Sequence, residues 1–157
     1  MQPQLKILIV EDAPDLLEQL CTSIRSTIEL FERPDVTISV VEASSVQSAL
    51  EQVTNDGDIQ AVVFSWDTEA RECEVYGQGK GKIANNAVVI DAIKAIRREL
   101  PVYVLGDAIR GLDIVNQSSS MESFFYRNDI ISDPESILGY IINDFDDRNE
   151  TPFWTAY

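Results

Sequence analysis

The chain has 157 residues, 45% of them hydrophobic, which suits one globular domain with a real core and excludes a large multidomain enzyme. Twelve Lys and Arg against 27 Asp and Glu leave a formal charge of -15, which disfavours phosphate backbones and anionic membranes, so neither nucleic acid nor membrane is an expected partner. There is no histidine, and two cysteines, Cys21 and Cys73, make neither a disulfide framework nor a zinc set. The first apolar run, Leu5-Lys6-Ile7-Leu8-Ile9-Val10, is short and partly β-branched, as in a buried strand, and it closes on Glu11-Asp12. Asp12 then caps a helix with Pro14 in its first turn and an apolar stripe of Leu16, Leu17, Leu20, Cys21, Ile24 and Ile28. Arg33-Pro34-Asp35 ends that helix, and a second strand follows at 36–41.

Ser44 or Ser45 caps a second helix with apolar positions Val46, Ala49, Leu50 and Val53, stopped by the turn sequence Asn55-Asp56-Gly57. A third strand spans 59–64. After Trp66-Asp67 the polar stretch to Asn86 has loop composition, including Gly77-Gln78-Gly79-Lys80-Gly81-Lys82. That run lacks the spacing of a phosphate loop and neither leaves a strand nor enters a helix directly. A third helix is expected over 87–100 and a fourth strand over 101–105, broken by Gly106-Asp107. Ile109, Leu112 and Val115 suggest a short helix, and 124–126 a fifth strand. Ser132-Asp133-Pro134-Glu135 combines a capping box with an early proline ahead of a last helix that carries Ile137, Leu138, Ile141, Ile142 and Phe145.

Strands alternating with helices imply a three-layer α/β/α domain around a five-stranded parallel sheet, flavodoxin-like in order, 2-1-3-4-5. Ligand chemistry in such a sheet gathers at the carboxyl ends of the strands. Here those ends carry Glu11-Asp12, Ser65-Trp66-Asp67, Gly106-Asp107 and Tyr126-Arg127. The pattern resembles the receiver domain of bacterial response regulators. That resemblance implies an acidic pair for magnesium, a phosphoacceptor aspartate, a hydroxyl residue and a lysine. Only the acidic pair is kept: Ser65 stands at the acceptor position, Gly106 at the hydroxyl position and Arg127 at the lysine position. A serine hydroxyl is a much weaker nucleophile than a carboxylate toward an acyl phosphate, so phosphorelay chemistry is not expected. Asp67 could act only through a shift of two residues in register. Glu11 and Asp12 could offer hard oxygen ligands, but without a third carboxylate they read as a pair that caps the helix and meets solvent, with Arg127 as a neutralising partner. No metal site is expected.

The segments Val63-Phe64-Ser65-Trp66-Asp67, Leu100-Pro101-Val102-Tyr103-Val104-Leu105-Gly106-Asp107, Ser123-Phe124-Phe125-Tyr126 and Thr151-Pro152-Phe153-Trp154-Thr155-Ala156-Tyr157 resemble the N-terminal wing domain of the bacterial inducible ornithine/lysine/arginine decarboxylases. The resemblance implies a receiver-like wing at 1–146 and the start of a linker at 147–157, leading to a pyridoxal-phosphate domain that this segment lacks. It implies no catalytic residue and no cofactor within the segment. None of the four lysines, Lys6, Lys80, Lys82 and Lys94, sits in a context like the family's cofactor lysine. Self-association from dimer to decamer, a role in acid stress and an alarmone nucleotide as possible ligand are likewise implied, while a cytoplasmic location is expected from apolar runs no longer than a strand and from Met1-Gln2-Pro3-Gln4, which has no basic region leading into a signal-peptide core. Lys80, Lys82, Arg97 and Arg98 are the main local positive charge for such a nucleotide. Phe153, Trp154 and Tyr157, following a hydrophilic run, call for a partner surface and are expected oligomer or linker contacts. Asp144, Asp146, Asp147 and Glu150 would repel across a subunit contact and cease to do so on protonation. The competing expectation is a stand-alone receiver or pseudo-receiver. A flavodoxin-type electron carrier is disfavoured by the acidic first loop, Glu11-Asp12-Ala13-Pro14.

Overall fold

Three strands carry almost no exposed side chains: β1 (Gln4–Val10), β3 (Ile59–Ser65) and β4 (Val102–Gly106). Burial on both faces is what parallel strands between two helical layers require. The computed structural model describes residues 3–31, 33–65, 86–106 and 123–149. It adds β2 (Thr37–Ala43) and β5 (Ser123–Tyr126) at the edges of a sheet in the order β2-β1-β3-β4-β5, with every pairing parallel.

The helices are α1 (Pro14–Leu30), α2 (Val46–Asn55), α3 (Asn86–Ile96), α4 (Arg127–Ser132) and α5 (Pro134–Asn149). Alternation along β1 sets the layers. Leu5, Ile7 and Ile9 pack with Leu20 and Ile24 of α1 and with Ile141 and Phe145 of α5. Leu8 and Val10 face the other way, onto Ala49 and Val53 of α2 and Ile90 and Ile93 of α3. Each fully buried Val, Leu or Ile among them contributes roughly 1.5–3 kcal/mol.

Four local readings need correction. Asp12 does not cap α1: the cap position is Ala13, which makes no side-chain bond, and the Ala13 N–H instead donates to the Glu11 carboxylate. Pro14 at the first helical position leaves one fewer donor to satisfy. The third helix stops at Ile96, not at Leu100; Leu100 N–H turns back to the Arg97 carbonyl, and Pro101 disfavours helix in the residue before it. The short helix α4 was not anticipated. Because Pro134 opens α5 and Ser132 closes α4, the cap position falls on Asp133, one residue later than the capping-box reading places it. Ser45 does cap α2, its hydroxyl accepting the Ser48 N–H at 3.0 Å. The glycine-rich run 77–82 and the helix expected near Ile109, Leu112 and Val115 lie outside the described residues.

Candidate functional site

At the carboxyl end of β1 the backbone N–H of Glu11 donates to the Ala43 carbonyl at 3.1 Å, so the ladder runs one residue past the strand. This draws the Glu11 side chain into the crevice between β1 and β3, where the residue is only 5% exposed. A buried carboxylate must be met by donors. Ser65, the last residue of β3, gives its hydroxyl to one oxygen at 2.5 Å, and the Ala13 N–H gives to the other at 3.0 Å. A short bond is normal for a hydroxyl facing a charged acceptor.

The acidic pair is therefore divided. Asp12 is exposed, whereas Glu11 is buried and ties two strands to the start of α1, so the reading of both carboxylates as a solvent-facing cap is wrong for Glu11. Gly106 ends β4 opposite Tyr126 of β5 and brings no side chain to the crevice. Arg127 is the first residue of α4, with its side chain outside the described part, as are Asp67, Phe153, Trp154 and Tyr157. Among the described residues no group of three or more His, Cys, Asp or Glu is placed to hold a metal ion.

Two features were missed from sequence. Arg33 grips Asp35 through two bonds of 3.0 Å and Asp146 of α5 through two more of 3.0 Å. These carboxylates raise the Arg33 guanidinium further above its usual value, and the hydrogen bond from Arg33 is the main cause that lowers the Asp35 pKa. Second, the buried Tyr103 donates its hydroxyl to Asp144, which also lies 3.8 Å from Arg148. The acidic end of α5 is thus internally countered at Asp144 and Asp146, leaving Asp147 as its exposed carboxylate among the described residues. The local run Arg33-Pro34-Asp35 hints at one half of the first contact. Nothing in sequence signals the other, 113 residues away.

At the opposite end of β1, Lys6 bonds Asp56 at 2.9 Å, which raises the lysine pKa and lowers that of Asp56. Arg97 donates to the Ile59 carbonyl at 2.5 Å and so serves the fold.

Replacing Arg33 with Met is expected to return the Asp35 titration upward toward the ordinary aspartate value of 3.8. In the native protein the Arg33 pairing favours the folded state above that value, and this contribution is lost as pH falls through the lowered one. Carboxyl-carbon NMR titration reads the change, and an Asp35 curve unaltered by the substitution would refute the pairing.

The arrangement holds a carboxylate in place of presenting one for chemistry. Comparison with known proteins agrees on the scaffold. Solved structures similar to this chain include a response regulator receiver domain protein from Clostridium thermocellum (18% identity, 90% of this chain and 97% of that one, TM-score 0.62). The N-terminal domain of a response regulator/sensory box/GGDEF protein from Carboxydothermus hydrogenoformans matches at 17% identity over 92% and 99%, TM-score 0.62. A response regulator receiver protein from Pseudomonas putida matches at 15% over 92% and 99%, TM-score 0.59. At such identities the likeness establishes a flavodoxin-like receiver fold and nothing more. No curated protein matches the chain. No helix among the described residues is long and apolar enough to cross a membrane. Residues 22–141 match the family described as Orn/Lys/Arg decarboxylase, N-terminal domain. With a match over that span, carried on a flavodoxin-like receiver fold, the chain belongs to the Orn/Lys/Arg decarboxylase N-terminal domain family.

Proposed function

We propose that this chain is the non-catalytic wing of a pyridoxal-phosphate-dependent basic amino-acid decarboxylase and serves oligomer assembly and regulation in acid stress, in the cytoplasm. The observation that carries the reading is the Ser65–Glu11 hydrogen bond on a family-matched receiver fold. It fills the crevice with a structural contact where a phosphorelay domain would keep a free carboxylate. The cofactor belongs, in this reading, to a following domain. A cofactor lysine needs an amine that loses its proton readily, whereas Lys6 is paired with Asp56 and its pKa is raised. Lys6 thus does not fit the group.

Assembly from dimer to decamer, with Phe153, Trp154 and Tyr157 as linker or subunit contacts, and binding of an alarmone nucleotide are parts of the same proposal. An acid-sensitive contact would start from the exposed Asp147, because Asp144 and Asp146 already have internal partners. The test is the intact mass of the native polypeptide, detected in its source cells through this segment, with the absorbance spectrum of the captured material. A mass several times 17.6 kDa with a pyridoxal-phosphate band is expected. A native chain of 17.6 kDa without the band would overturn the reading.

The receiver-like neighbours favour a second reading, a stand-alone receiver or pseudo-receiver signalling module. Acetyl phosphate with magnesium separates the two. The expected intact mass is unchanged, because the hydroxyl at position 65 is already committed to Glu11; a labile phosphate adduct at Asp67 would favour the receiver.

A further inference from the structure

Among the described residues, strand β2 lies at one edge of the sheet with β1 as its sole neighbour. Which of its backbone groups face outward follows from parity. Thr37 donates its N–H to the Pro3 carbonyl and Ala43 accepts the Glu11 N–H, so the odd-numbered residues turn their polar groups inward. Residues 38, 40 and 42 therefore turn theirs outward, since in a parallel ladder the N–H and C=O of one residue point the same way. Such an outward row is a ready template for another strand. Thr37-Ile38-Ser39-Val40-Val41 is rich in β-branched residues, and the whole strand carries one charge, on Glu42.

Side chains from both helical layers close on this row. From α1, Arg25 donates to the Val40 carbonyl at 3.4 Å and to the Glu42 carboxylate at 3.0 Å. From α2, on the opposite face, Gln52 donates to the Glu42 carbonyl at 2.7 Å and is steadied by the Ser48 hydroxyl at 3.3 Å. Two of the three outward carbonyls thus have side-chain donors, one from each layer. The ion pair between Arg25 and Glu42 is about half exposed, with side-chain accessibilities of 49% and 43%. An exposed pair of this kind contributes little to stability. Its position across the strand edge gives it a different effect: it puts a guanidinium and its own stem where a neighbouring strand would have to lie.

We infer that Arg25 and Gln52 form a two-sided latch that shuts the β2 edge against strand addition by a second copy of this chain. Self-association of the domain is thereby directed to other surfaces.

The experiment uses the whole 157-residue chain as wild type and as the Arg25→Ala/Gln52→Ala double variant. Sedimentation velocity over a concentration series reports association, and amide hydrogen exchange reports which backbone groups become covered. The double variant should associate roughly tenfold more tightly than wild type. Exchange at Ile38, Val40 and Glu42 should slow as it does so. Sedimentation equal to wild type would overturn the inference, as would tighter association that leaves those three amides exchanging as before. Should the double variant lose its far-ultraviolet circular dichroism, Arg25→Lys and Gln52→Ala, tested singly by the same two readings, decide the matter: each must shift both readings in the same direction, and failure of either to do so counts against the latch.

Discussion

Replacing Ser65 with Asp is expected to destabilise the domain by about 3 kcal/mol at pH 8 and to make its stability depend on a divalent cation. The Ser65 hydroxyl sits 2.5 Å from a Glu11 carboxylate that is 5% exposed. A second carboxylate in that position would face the first across a poorly solvated gap, and one of the two would hold its proton well above the ordinary range. Each unit of such a rise corresponds to about 1.4 kcal/mol, and two units give the expected loss. The sign follows from linkage. A carboxyl whose folded-state pKa is raised opposes folding once pH exceeds its unfolded value, so the variant should be near wild-type stability at about pH 4 and lose it as pH rises through the raised value. Magnesium would reverse the loss, because Glu11, the exposed Asp12 and the introduced carboxylate together supply the hard oxygens it prefers. At about 100 times its Kd the ion would return roughly 2.7 kcal/mol. Ser65→Ala separates charge from lost bonding: it removes one donor, should cost about 1–3 kcal/mol, and should show neither the pH inversion nor the response to magnesium. Urea unfolding at several pH values with and without magnesium provides the comparison, and a Ser65→Asp variant as stable as wild type at pH 8 without the ion would sink the argument.

The Ser65–Glu11 pair also marks where sequence reading stops. The runs at 5–10 and 59–64 read as buried strands because parallel pairing strips them of a polar side, and the convergence of Glu11 and Ser65 follows from both standing at strand ends. What the two residues do to each other did not follow. Ser65 was readable as the loss of an acceptor; its gain, a hydroxyl donated to a buried glutamate, depends on the backbone bond from Glu11 to Ala43 that pulls the side chain inward. Expectations about Asp12 failed for a related reason. Capping patterns assume that the nearest acidic residue serves the helix, while here the residue before it reaches forward to accept the Ala13 N–H. The end of α3 near Ile96 and the extra helix α4 were set by tertiary contacts and by proline positions, which periodicity does not report. The acidic end of α5 misled most. Asp144 and Asp146 are four and two residues from Arg148, yet their stronger partners, Tyr103 and Arg33, lie 41 and 113 positions away.

Among single side chains, Tyr103 should carry one of the largest costs of truncation. It lies on β4 with no exposed surface and is the largest of the fully buried side chains among the described residues. Its ring meets Tyr140 of α5 edge to face at 5.9 Å and 81°, and Tyr140 meets Phe125 in the same manner at 5.6 Å and 78°. Its hydroxyl reaches past the apolar contact to Asp144, one turn further along α5. Tyr103→Ala removes all three contributions and is expected to cost about 3–5 kcal/mol, the range for emptying an aromatic site that the backbone cannot close. Tyr103→Phe keeps the ring and forfeits the hydrogen bond to a charged acceptor, with an expected cost of about 1.5–3 kcal/mol. The difference matters because Asp144 keeps a second partner, Arg148, and stays near solvent. A cost below about 1 kcal/mol would instead refute the expectation and show that Arg148 and water replace the hydroxyl. A double-mutant cycle between Tyr103→Phe and Asp144→Asn measures the coupling directly, by denaturant unfolding at one pH. Coupling above about 1 kcal/mol would make the hydroxyl the tie that holds the last turns of α5 against the sheet; coupling near zero would leave that work to the Arg33–Asp146 contact and to the packing of Ile141 and Phe145.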